Sequence, residues 1–161
     1  MTLQEQVQAS MTDAMRQRDV PRRDTLRMVV AALYNAEKAA RRPLSDDEQL
    51  AVLVREVKQR RESVDAYTKA GRADLADREA AEAALIGTFM PQPLDETELE
   101  ALVEAAIVET GASSARDLGR VMAVLAPRTR GRADGRTVSG LVAQALARRD
   151  LADHTHEPDA A

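Results

Sequence analysis

The chain has 161 residues, 44% of them apolar, with one Phe, two Tyr and no Trp, so it is long enough for one ordinary domain or two small ones, cored by Leu, Val, Ala, Ile and Met. Without cysteine it can form no disulfide, thiolate metal site or cysteine nucleophile; its apolar runs, such as Met28 to Leu33, fall far short of the ~20 residues that span a bilayer. The net charge of -4 conceals an asymmetry: six acids and no base from Asp95 to Glu109, then eight arginines against only Asp117 and Asp134 from Gly111 to Arg149.

Taken in order, the sequence predicts seven helices and no strand. The first runs from Leu3 to Arg18, with Leu3, Val7, Met11 and Ala14 at helical spacing. Pro21 suits the first turn of a second, which carries Leu26, Val29, Val30 and Leu33 on one face and ends before Pro43. Ser45 with Asp46, Asp47 and Glu48 after it is a start signal: a hydroxyl caps orphan N–H groups and the acids suit the positive helix end. The third helix reaches Gly71, a C-cap glycine, and a fourth runs from Ala73 to Phe89. Pro91 and Pro93 then mark a boundary, because neither continues a helix and each biases its predecessor to extended backbone. Asp95 and Glu98 cap a fifth helix, closed by Gly111. Ser114 caps a sixth, which ends before Pro127, and Asp134 caps a seventh, carrying Val138, Leu141, Val142, Ala145 and Leu146. The expected division is an N-terminal four-helix domain over residues 1–92, a three-helix domain over 93–149 and a disordered tail over 150–161.

The segment RTRGRADGRTVSGLV, Arg128 to Val142, raises the main chemical question. It partly matches a phosphate-binding P-loop, but three residues rather than four separate Gly131 from Gly135, an arginine replaces the lysine, and a helix precedes it instead of a strand. A plain junction accounts for Gly131 as the turn and Asp134 as the cap. It leaves the arginines unexplained, because Arg128, Arg130, Arg132 and Arg136 crowd a helix N-terminus that disfavours cations. Pairing with the acidic fifth helix is one resolution. Phosphate is another, since exposed N–H groups and guanidinium forks both suit it; on the residues alone the structural answer weighs more.

A second basic patch, Lys58, Arg60 and Arg61, lies in REVKQRRES, where Glu56 with Arg60 and Lys58 with Glu62 make i, i+4 pairs. Glu96, Glu100 and Glu104 form an acidic ladder without a nearby histidine, which argues against a metal. His154 and His156 fall in the tail, and Ser113, Ser114 and Ser139 have no histidine partner, so the residues name no catalytic site and no cofactor. Aromatics are too few for base stacking, which leaves phosphate and shape as the basis of any nucleic-acid contact.

The run KQRRESVDAYTKAGRADLADREAAEAALIGTFMPQPLDETELE, followed by GASSARDLGRVMAVL and GRADGRTVSGLVAQAL, resembles the YqeY branch of the GatB/YqeY family. The resemblance extends from residue 1 to about 149 in order, with Met90-Pro91-Gln92-Pro93-Leu94 where members often carry Leu-Pro-Glu-Gln-Leu. It implies an all-α protein of two parts, the second similar to the tail domain of the B subunit of the glutamine-dependent tRNA amidotransferase, which is associated with holding the tRNA. The amidotransfer chemistry of that enzyme lies in a separate preceding domain with no counterpart here. The resemblance therefore favours tRNA, or an enzyme of tRNA aminoacylation or amidation, as partner. Arg120, Arg128, Arg130, Arg132 and Arg136 are the expected contacts, and Lys58, Arg60 and Arg61 a secondary patch. Membrane and DNA are not expected partners, and the polar N-terminus MTLQEQVQAS points to a cytoplasmic location. The rival expectations are a protein adaptor that touches no nucleic acid and an accessory subunit of amidotransfer, a carbon-nitrogen ligase activity with glutamine as amido donor.

Overall fold

The structure, a computed structural model, describes residues 1–155. Among these there are seven α-helices and no strand: α1 (Leu3–Arg16), α2 (Val20–Ala40), α3 (Asp46–Lys69), α4 (Ala73–Gly87), α5 (Glu96–Thr110), α6 (Leu118–Thr129) and α7 (Gly135–His154). The protein is all-α. The chain divides into two compact units, Met1–Pro91 and Gln92–Ala161.

In the first unit the helix ends are set by short-range hydrogen bonds. Thr2 with Glu5 and Ser45 with Glu48 form reciprocal capping boxes on α1 and α3, and the Asp19 carboxylate accepts the Arg22 N–H to start α2. Helix α3 ends at Gly71, whose φ of 71° lets Arg72 donate back to the Tyr67 carbonyl at 2.9 Å and Gly71 to Thr68 at 3.1 Å. The core joins Val7 of α1, Leu26, Val29 and Leu33 of α2, Val52, Leu53 and Val57 of α3, and Ile86 of α4. Gln49 of α3 is a buried polar side chain. Its amide is satisfied on both sides, accepting from the Gln4 N–H at 2.9 Å and donating to the Leu44 carbonyl at 3.1 Å.

The second unit closes a smaller core between α5, α6 and α7 around Leu99, Val103, Ile107, Val121, Leu125, Val138, Val142 and Leu146. Asp95 caps α5 in a box with Glu98, and Gly111 ends it with φ 65°. Two boundaries differ from expectation. Helix α6 does not stop before Pro127 but continues to Thr129: a proline in the last turn removes one N–H only, and buried Thr129 turns its hydroxyl back to the Leu125 carbonyl at 3.3 Å. Helix α7 runs to His154 rather than ending at Arg149, so the expected disorder does not hold for residues 150–154; the His154 ring sits 2.7 Å from the Asp150 carbonyl, one turn back. His156 and the rest of the expected tail lie outside the described residues.

Candidate nucleic-acid interface

The arginine segment forms the connection from α6 to α7. Gly131 has φ 71°, and Arg132 and Ala133 both donate to the Thr129 carbonyl, at 2.9 and 3.0 Å, so the chain reverses just past the end of α6. Asp134 then caps α7 by accepting the Thr137 N–H at 3.2 Å and its hydroxyl at 3.4 Å. The capping carboxylate and the turning glycine are those the sequence points to.

The arginines divide by what they hold. Arg132 is half-buried and structural: its Nε donates to the Gln92 carbonyl at 3.0 Å, and its own carbonyl accepts the Leu94 N–H at 2.8 Å. It ties the segment entering α5 to the turn. Arg120 donates to the Thr110 carbonyl at the end of α5 and to Asp117, at 3.1 and 2.9 Å, where a cation complements the negative helix end. Arg128 reaches Glu109 at 2.8 Å, an exposed pair of the kind worth ~0–1 kcal/mol. Arg130 is exposed. Arg136 is exposed in the first turn of α7, with no ion pair or side-chain hydrogen bond among the described residues. The acidic fifth helix thus answers part of the basic charge, through Glu109 with Arg128 and Glu104 with Arg149.

The structure corrects the second patch. Arg60 is only 4% exposed, held by Glu56 at 2.7 Å and Glu82 at 3.1 Å, with Nη2 against the Met28 sulfur at 3.9 Å. It is an internal tie between α3 and α4, withdrawn from any ligand. Its i, i+4 pairing with Glu56 was legible from spacing, but Glu82, 22 residues away, was not. Lys58 and Arg61 are exposed on α3, and the expected pair of Lys58 with Glu62 is not among the ion pairs of the described residues.

One polar centre escapes the sequence reading. Ser114 caps the short 3-10 turn Ala115–Asp117 that leads into α6, in a reciprocal box with Asp117, and the Asp117 carboxylate does more than close that box: it accepts the Ser113 N–H at 2.9 Å and the Ser114 N–H at 3.4 Å besides bonding Arg120. These contacts, the Ser113 N–H first and Arg120 second, hold its carboxyl below the usual range. The signal was present, an acid three residues after a serine. No group of three or more His, Asp or Glu side chains among the described residues could hold a metal. No described helix is long and apolar enough to cross a membrane.

Comparison with known proteins follows the same span. The chain is similar to altered inheritance of mitochondria protein 41, mitochondrial, of Pyrenophora tritici-repentis, at 28% identity over 76% of this chain and 70% of that protein. It is also similar to an uncharacterized protein of Schizosaccharomyces pombe, at 27% identity over 56% of this chain and 73% of the relative. A family model described as Yqey-like protein matches residues 4–146, which takes in all of α2 to α6 and most of α1 and α7. The chain is a small helical protein that belongs to the Yqey-like family.

Proposed function

We propose that this protein binds tRNA, or an enzyme carrying tRNA, through the turn between α6 and α7. The observation that supports the reading most is Arg136: an exposed guanidinium in the first turn of a helix, without a partner among the described residues, where the helix dipole opposes it. A phosphate at this position would be met by the guanidinium and by those first-turn N–H groups that Asp134, which takes the Thr137 N–H, leaves open. Arg128 supplies a second contact at small cost, since its pair with Glu109 is exposed and readily exchanged. Arg130 is exposed beside them. Arg120 and Arg132 act behind these three by fixing backbone. The sequence resemblance of residues 93–149 to the tRNA-holding tail of the amidotransferase B subunit favours tRNA among polyanions. We place the activity in the cytoplasm, and the mitochondrial name of the Pyrenophora relative fits the same reading because tRNA works in both compartments.

The test is binding of two tRNA transcripts of unrelated sequence, followed by fluorescence anisotropy at low salt. Changing Arg128 and Arg136 together to Gln should weaken both by about tenfold or more, because two charge-assisted contacts are lost and neither reads a base. Circular dichroism of the variant should match the parent. Absence of binding by the parent, or unchanged binding by the folded variant, would return the turn to a structural junction and favour the protein-adaptor reading.

A further inference from the structure

Helix α2 carries a second face that its own unit leaves uncovered. Val20, Asp24, Arg27, Ala31, Tyr34 and Lys38 recur at alternating spacings of four and three residues, which aligns them along one stripe of the helix. Their burial agrees. Val20, Met28 and Tyr34 are 48%, 55% and 60% exposed, the Asp24 side chain is 45% exposed, and Arg27, Ala31 and Lys38 face solvent, whereas Leu26, Val29 and Leu33 are in the core.

The stripe is complementary to itself when reversed. In an antiparallel pair of α2 helices related by a twofold axis at Ala31, residue 24 meets 38, 27 meets 34 and 28 meets 35. The axis then falls on a small side chain, which lets two helices approach to about 8–10 Å. Asp24 of each copy faces Lys38 of the other, an opposite-charge contact made twice. Arg27 faces Tyr34 of the other copy, a cation–aromatic contact, and Met28 faces the neutral Asn35. The surface beside Met28 is also concave. A cleft of about 660 Å³ opens there, walled by Val20, Asp24 and Met28 of α2 and by Arg78 and Leu85 of α4. We propose that the α2 face is a homodimer interface, antiparallel and centred on Ala31, with Asp24 and Lys38 setting the register. It stands apart from the RNA reading, which concerns the second unit.

Sedimentation equilibrium of the full chain from ~1 to ~500 µM tests this, because an interface built on one helix face belongs at the weak end of protein contacts. The parent should dimerise reversibly within that range. Asp24→Lys or Lys38→Asp alone puts like charges opposite each other at two symmetry-related places and should raise the dissociation constant by about tenfold or more. The double exchange Asp24→Lys with Lys38→Asp should return it to within about threefold of the parent, a rescue that no other face would give. Ala31→Glu should abolish the dimer by opposing two carboxylates at the axis. Asp24 also holds Arg23 at 2.7 Å, so circular dichroism and melting accompany each variant, and Lys38→Asp and Ala31→Glu alter exposed side chains only. A parent that stays monomeric throughout, a dimer indifferent to the single exchanges, or a double exchange without rescue would overturn the proposal.

Discussion

Arg60 and Arg18 are both cations that the structure uses in unusual ways, and each yields a test at the scale of one residue. Burying a guanidinium is costly, and here the cost is met by Glu56 and Glu82, which are themselves 19% and 16% exposed. Arg60→Ala leaves both carboxylates without that partner and should destabilise the protein by roughly 2–4 kcal/mol in urea unfolding, the lower end reflecting their residual solvent contact. tRNA affinity measured below the transition should stay at the parental value, since Arg60 is buried between Glu56 and Glu82. Arg18 closes α1 at φ 58°, with Asp19 donating back to the Ala14 carbonyl at 2.9 Å. That conformation strains a side chain with a Cβ and suits glycine, so Arg18→Gly should raise stability by about 0.5–1 kcal/mol after the larger unfolded-state entropy of glycine is allowed for. A lowered melting temperature would refute it. Sequence separates these cases poorly. Arg60 and Arg61 read alike in the run REVKQRRES, and only the approach of α4 buries one and leaves the other in water.

At the scale of the element, helix starts were the most legible feature, because a cap is a local event. Ser45 with Glu48, Asp95 with Glu98, and Asp134 all act where the spacing of their side chains puts them. Less legible were contacts between segments far apart in the chain, such as Arg132 on the Gln92 carbonyl or Gln49 on the Gln4 N–H, since nothing in a local window distinguishes a glutamine facing water from one closing a gap. Proline also misled in α6, because Pro127 disturbs the bonding of the turn before it and does not by itself end the helix. The Ser45 cap gives a pH test. Glu48 is held at about 2, against an ordinary 4.5, chiefly by the Arg42 guanidinium and next by the Ser45 N–H. A depressed carboxyl contributes stability above its unfolded value and loses that contribution as pH falls through the folded one. The stabilisation from this cap should therefore be complete above about pH 5 and fade toward pH 2, and Glu48→Gln should flatten that part of the acid-unfolding curve. Carbon NMR of the Glu48 carboxyl should titrate near 2; a midpoint near the ordinary value would show that the Arg42 contact is not maintained in solution.

For the whole molecule the net charge of -4 sets the character of any RNA contact. A chain of this sign does not draw a polyanion from a distance, so attraction must come from the few arginines of the turn acting within about a Debye length, ~8 Å at physiological salt. The division of labour follows from this. Arg120 and Arg132 hold the backbone of the second unit, while Arg128, Arg130 and Arg136 are presented outward. The sequence showed the basic turn but could not separate these two groups, because backbone carbonyl acceptors leave no mark in a residue pattern. The central claim, that the presented arginines meet phosphate, is tested most directly by the salt dependence of tRNA affinity. With three contacts, log K should fall against log salt with a slope of roughly -2 to -3, and neutralising Arg128 and Arg136 should reduce it to about -1. A parental slope near zero, or a slope the double variant leaves unchanged, would contradict the account.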